Sequence, residues 1–181
     1  MQVEKFDIQG PLLLTPAVFN DERGYFFESF SKIKLNDLGI DLDFVQDNQS
    51  LSQIGAVRGL HFQSPPFDQG KLVRVTQGKV IDIIVDIRKS SPTYGKSIAV
   101  ELSAQNFKQF WVPPGFAHGF SVLEDNTIFQ YKCTNYYNKA SEGGIRYNDP
   151  DLNLNWRVEK PVVSEKDLLL PFLKDLNSPF D

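Results

Sequence analysis

The sequence is poor in the residues that several common chemistries require. Its 181 residues include one cysteine, Cys133, and two histidines, His61 and His118. A single thiol excludes any disulfide within the chain, and with it the stapled miniprotein class. Two imidazoles and one isolated thiol are also a poor inventory for zinc or iron, whose sites take three or more protein ligands, so no catalytic metal is expected. No apolar run approaches the ~20 residues needed to span a bilayer. The opening Met1–Phe6 (MQVEKF) has neither a basic leader nor an apolar signal stretch, so no membrane partner and a cytoplasmic location are expected. Basic charge is not in excess either: 19 Lys and Arg against 23 Asp and Glu leave a net of −4. That balance removes the electrostatic footprint of a nucleic-acid binder.

What is present is globular composition, 41% hydrophobic and 23% charged, rich in Phe (15), Gly (12) and Pro (11), which leans toward many short strands and turns. A chain of this length buries roughly 70% of its extended surface in one core. With no repeat, linker or low-complexity tract, a single domain over 1–181 is expected. Apolar and polar residues alternate in 25–30 (YFFESF), 44–51 (FVQDNQSL), 71–76 (KLVRVT) and 127–133 (TIFQYKC), which predicts strands. Turn signals at Asp21–Gly24, Gln77-Gly78, Ser91-Pro92 and Pro113–Gly115 recur at the spacing of a sandwich or barrel, so the fold is expected to be mostly β. Two short helices are predicted, one over 31–38 with Ser31 as N-cap and Gly39 as stop, and one from Ser164 to Pro171 with a capping-box start.

The clearest strand is 79–88 (KVIDIIVDIR), where Asp82 and Asp86 alternate with Val80 and Ile84. That alternation suggests a polar-lined interior. The favoured reading has both aspartates facing water, because Asp is rarely buried unpaired. A lone histidine is more often a packed or surface residue than a catalyst, yet it is also the side chain that most readily exchanges protons near neutrality. His61 lies in VRGLHFQ and His118 in PPGFAHGF.

The string Pro113-x-Gly115-x-x-His118 resembles the second motif of the cupin superfamily, whose fold is a jelly roll, or double-stranded β-helix. Where metal-binding cupins carry a His-x-His pair, His61 is followed by Phe62 and Gln63. Read together, Asp21–Gly24 (DERG), Phe27–Phe30 (FESF), Phe44–Asn48 (FVQDN), Arg58–Gln63 (RGLHFQ), Gly70–Arg74 (GKLVR), Val85–Arg88 (VDIR), Gly115–Phe120 (GFAHGF) and Tyr131–Tyr137 (YKCTNYY) resemble the dTDP-4-dehydrorhamnose 3,5-epimerase family from about Phe6 to Asp167. The resemblance implies a cupin jelly roll with a few short helices, no cofactor, and inversion of carbons 5 and 3 of dTDP-4-dehydro-6-deoxy-D-glucose. A related 3-epimerase or 3,4-ketoisomerase is the alternative.

The same resemblance implies His61 as the base, Tyr131 as proton donor on the opposite face and Lys71 as the cation nearest the enolate. Asp167 is implied as the carboxylate that orients His61. Its plainer explanation is a helix cap, and Asp82 competes for the role. Arg23, Arg58 and Lys71 are the candidates for phosphate. Glu28, Gln46, Asn48, His118, Glu142 and Lys166 are implied substrate contacts, with Phe26 and Tyr137 packing on the base or sugar. Exchange of N-terminal strands in a homodimer is implied as well, which would put Arg23, Phe26 and Glu28 in the partner's pocket. Strict alternation sets Arg58 and His61 on opposite faces, so a shared pocket predicts a bulge or twist at Gly59.

Overall fold

The computed structural model describes residues 1–181. Its strands are β1 (Gln2–Lys5), β2 (Leu12–Thr15), β3 (Phe19–Asp21), β4 (Gly24–Phe26), β5 (Gln46–Ser52), β6 (Val57–Gln63), β7 (Lys71–Gln77), β8 (Lys79–Asp86), β9 (Ser97–Ser103), β10 (Gln109–Val112), β11 (Phe116–Val122), β12 (Thr127–Cys133) and β13 (Glu142–Gly144). Two short helices, α1 (Lys32–Asn36) and α2 (Glu165–Leu168), complete the main elements. One sheet has the order β1-β2-β10-β7-β12-β5 and the other β13-β6-β11-β8-β9, with β3 and β4 forming a separate hairpin. The two large sheets pack face to face as a cupin jelly roll.

Along β8, β10 and β11 the sheets are covered on both faces and buried residues fill successive positions, whereas β5 and β9 expose one face and alternate. Between the sheets lie Val73, Val75, Phe110 and Phe129 from one side, and Val80, Ile84, Leu102 and Phe120 from the other. Behind β8 and β11, Ile81, Ile83, Val85 and Ala117 pack under the C-terminal segment through Ile145, Trp156 and Phe180. Behind the six-stranded sheet, Leu12, Leu14, Leu72 and Trp111 are covered by Leu35 of α1 and by Ile40.

The helices match the caps read in the sequence. Ser31 accepts from Lys34 N to open α1, Gly39 at φ +82° ends that segment, and Ser164 accepts from Asp167 N to open α2. The predicted strand over 25–30 shrinks to Gly24–Phe26, because β4 pairs only with the short β3. Beyond it Phe27 packs edge-on to Phe107 and beneath the Arg74 guanidinium instead of joining a ladder.

The favoured reading of Asp82 and Asp86 is corrected. Both are fully buried, since the inner face of β8 points between the sheets, and both are partnered. Asp86 accepts from the Arg88 backbone N–H at 3.0 Å, from its guanidinium at 2.8 and 2.7 Å, and from Ser91 and Thr93 hydroxyls at 2.7 Å each. Burial pushes this carboxyl up, but the Arg88, Ser91 and Thr93 bonds outweigh it and hold the pKa at about 2. The folded value lies below the unfolded one of about 3.9, so this contribution to stability is complete above about pH 4 and disappears as pH falls toward about 2. Asp86→Asn is therefore expected to cost roughly 2 kcal/mol at neutral pH and to flatten the acid limb of the stability curve. Denaturant unfolding followed from neutrality to about pH 2 checks this; an acid limb identical to that of the parent contradicts it.

Candidate active site

The polar end of the interior is set by which residues of each strand face inward. On β7 these are Lys71, Val73 and Val75, on β12 Phe129, Tyr131 and Cys133, and on β5 Asn48 and Ser50. Toward one end this row opens into a cavity of about 640 Å³ lined by Asn48, Arg58, His61, Lys71, His118, Tyr131, Lys166 and Asp167 among others.

His61 and Arg58 reach one cavity because β6 carries the expected irregularity. His61 pairs with His118 and Arg58 with Phe120, so β6 spends one residue more than β11 between the same two rungs. Gly59 makes this possible. Its φ is +120°, and a Cβ there would lie 2.5 Å from the Gly119 Cα and 2.7 Å from the His118 carbonyl oxygen. No other residue fits so close an approach of two backbones.

His61 Nε2 lies 2.7 Å from Asp167 Oδ1, and the other carboxylate oxygen accepts the Gly59 N–H at 3.3 Å. One carboxylate thus fixes both the imidazole and the bulge beside it. The His61 side chain is 31% exposed and that of Asp167 only 6%, so the ring meets the cavity while its partner is sealed behind it. Burial pushes the Asp167 carboxyl up, but the His61 bond and charge, with the Gly59 and Ser164 bonds, hold it below the usual carboxylate range. Asp82 partners the other histidine: His118 Nε2 is 2.9 Å from each of its carboxylate oxygens.

Tyr131 lies across the cavity on β12, paired in register with Asn48 on one side and Val73 on the other. Burial pushes its phenol above the ordinary value, which keeps it protonated. Lys71 and Arg58 take part in no ion pair within the chain. Arg58 is steadied by one bond, from Nε to the Ser52 hydroxyl at 3.1 Å. Two unneutralised cations in a concave site suit an anionic ligand. No three His, Cys, Asp or Glu side chains converge in a metal-holding arrangement.

At the rim, Tyr137 donates to Glu142, which also pairs with Lys166, and Gln46 binds both the Asn48 side chain and the Tyr137 N–H. Arg23, Phe26 and Glu28 are elsewhere. The Arg23 side chain is 90% exposed and pairs with Asp21, Phe26 is 70% exposed, and Glu28 pairs with Lys34. Phe26 and Glu28 border a separate groove near Phe19, Leu35 and Gln109. Sequence reading missed Ser50, Phe129, Val162 and Val163 as cavity residues. Ser50 continues the alternation of Gln46 and Asn48 and was legible from it. Val162 arrives only through a parallel bridge to Ala56, which no local pattern announces.

A jelly roll whose open end holds a carboxylate-backed imidazole, a protonated phenol and free cations is a cupin of the sugar-isomerase class. The family described as dTDP-4-dehydrorhamnose 3,5-epimerase matches residues 5–175, and the chain belongs to it. The Shigella flexneri dTDP-4-dehydrorhamnose 3,5-epimerase is 51% identical over 93% of each chain. The Legionella pneumophila dTDP-6-deoxy-D-glucose-3,5-epimerase, solved with dTDP-4-keto-L-rhamnose, superposes with a TM-score of 0.94 at 46% identity, covering 97% of this chain and 94% of that one. A 3'-monoepimerase of Streptomyces bikiniensis, solved with dTDP-quinovose, gives a TM-score of 0.88 at 30% identity, covering 93% and 86%.

Proposed function

We propose that the cavity inverts carbons 5 and 3 of dTDP-4-dehydro-6-deoxy-D-glucose to give dTDP-4-dehydro-L-rhamnose, with His61 as base and Tyr131 as acid. The observation that carries this reading is that both groups line the same cavity with unpaired Lys71. Both carbons flank the carbon-4 ketone, so loss of either proton leaves a carbanion delocalised onto the ketone oxygen. His61, oriented by Asp167 through one ring nitrogen, takes the proton with the other. The Lys71 ammonium stabilises the oxygen as it becomes negative. Tyr131 then delivers its hydroxyl proton to the opposite face of the carbon, and solvent exchange restores phenol and imidazole. Each inversion removes one proton and adds one, so no electron changes hands.

Arg58 and Lys71 hold the diphosphate end of the ligand, with the Tyr137, Glu142 and Lys166 network facing its base. Arg23, Phe26 and Glu28, exposed and outside the cavity of their own chain, reach that of a second copy in an exchanged homodimer. A chain whose single cysteine, Cys133, is buried and forms no disulfide is compatible with a reducing compartment such as the cytoplasm. No helix is long and apolar enough to cross a membrane.

Incubation of the 4-keto sugar nucleotide with the protein in heavy water is expected to place solvent deuterium at both carbons, read by mass and proton NMR. Label at carbon 3 alone would overturn the double inversion and assign a mono-epimerase.

A further inference from the structure

The rim of the cavity is crossed by a segment that no ladder holds. β12 ends at Cys133 in one sheet and β13 begins at Glu142 in the other, so 134–141 spans the gap between them. None of the N–H groups of residues 135–138 bonds to a backbone carbonyl. Side-chain groups take their place, and they come from both sheets. Gln46 on β5 accepts the Tyr137 N–H at 3.0 Å. Gln63 on β6 holds the next residue by both ends of its carboxamide: Oε1 accepts the Asn138 N–H at 2.7 Å, and Nε2 donates to the Asn138 carbonyl at 3.0 Å. A primary amide matches a peptide N–H and C=O in this way, so the Gln63 side chain does what a strand neighbour does with its backbone. Gln63 is only 5% exposed, and alternation puts it on the same face of β6 as His61, with Phe62 between them turned behind the sheet. Its amide is nonetheless spent on the crossing segment.

We propose that Gln63 is a positioning residue for the Tyr137 ring, fixing the wall against which the nucleotide base packs. The inference rests on the placement of the base against the Tyr137 network given above. The ring has few other restraints: Tyr137 is 53% exposed, and its hydroxyl is tethered through Glu142, which Lys166 shares. Its backbone is fixed by Gln46 at its own N–H and by Gln63 at the residue that follows. Release of Asn138 leaves an N–H and a carbonyl without these partners, and they recover bonds by moving toward water, taking Tyr137 with them. The segment must then be ordered anew each time the nucleotide enters, and that cost falls on affinity. The chemistry is spared, because His61, Lys71 and Tyr131 sit on strands whose ladders do not include the Gln63 side chain.

Gln63→Met keeps the length of the side chain and removes both bonds. In calorimetric titration its affinity for dTDP is expected to fall about tenfold, while inorganic pyrophosphate, which carries no base, binds within about twofold of the parent. KM for the sugar nucleotide is expected to rise in step with the dTDP constant, with kcat held within about threefold. Two results overturn the proposal: dTDP affinity within about twofold of the parent, or an equal loss for dTDP and pyrophosphate, which marks a general disturbance of the cavity. If the Met variant does not fold, Gln63→Glu still accepts the Asn138 N–H but turns a carboxylate to its carbonyl; the same split is expected, and the same two results overturn it. Tyr137→Ala separates the inference from the reading beneath it. Undiminished dTDP affinity in that variant refutes the base wall and the inference together, whereas a loss there with none in Gln63→Met refutes the role of Gln63 alone. In the Tyr137→Ala background, Gln63→Met is expected to weaken dTDP by less than about twofold further, and a full tenfold loss there would show that Gln63 acts through something other than Tyr137.

Discussion

His61→Asn is expected to lower kcat by about a thousandfold or more, roughly 4 kcal/mol of barrier, while leaving dTDP affinity within about threefold of the parent. An asparagine amide overlies the Nδ1 side of the ring and falls short of the Nε2 position that bonds Asp167, but the other Asp167 oxygen still accepts the Gly59 N–H, so the bulge at Gly59 and the cavity walls remain in place. It has no basic nitrogen, and abstraction from a carbon acid next to a ketone then falls to water. Binding is expected to survive because Arg58 and Lys71, the cations proposed to hold the diphosphate, are untouched. Lys71→Ala separates the two functions from the other side: on the roles proposed for Lys71 it removes a phosphate contact and the enolate's cation together, so both affinity and turnover are expected to fall. Calorimetric titration with dTDP alongside initial rates distinguishes them. A His61→Asn protein that retains a tenth of the parental rate would remove His61 from the role of base.

Much of the barrel was legible because strands buried on one face write their alternation plainly. In β5, β7 and β12 the inward positions Asn48, Lys71 and Tyr131 fall where period two puts them, and the capping serines Ser31 and Ser164 stand where the two helices begin. Asp82 and Asp86 were misjudged for a physical reason. Asp82's partner, His118, comes from another strand, so nothing local shows that this carboxylate is paired; Asp86 is answered by the turn that follows it, through Arg88, Ser91 and Thr93, a signal that strand alternation alone does not carry. The same holds for Asp167. As the residue that Ser164 caps it already had a local explanation, and only the packing of α2 against β6 brings its side chain to His61. Long-range pairing of polar groups is what single-chain pattern reading lacks. The Gly59 bulge was the exception, because two required residues at an odd spacing on one strand imply an inserted residue between them.

The protonation half of the mechanism predicts a separable result. Tyr131→Phe is expected to cut net inversion by about a hundredfold or more while leaving exchange of the substrate's carbon-bound hydrogens with solvent much less affected. The reason is geometric. His61 still forms the enolate, and Lys71 still stabilises it, but the opposite face now presents a phenyl ring that has no proton to give. The enolate is then quenched mainly by the imidazolium that made it, on the face it left, with retention of configuration. Between abstraction and return the imidazolium trades its proton with water, so deuterium enters without epimerisation. Phenylalanine keeps the packing against Phe129, whose ring centroid lies 6.0 Å from that of Tyr131, so a general collapse of the cavity is not the cause of the loss. Parallel measurement of deuterium uptake and of product configuration by NMR reads both quantities in one sample. Equal losses of exchange and inversion would mean that the phenol serves abstraction as well, and undiminished inversion would mean that water or another donor protonates that face.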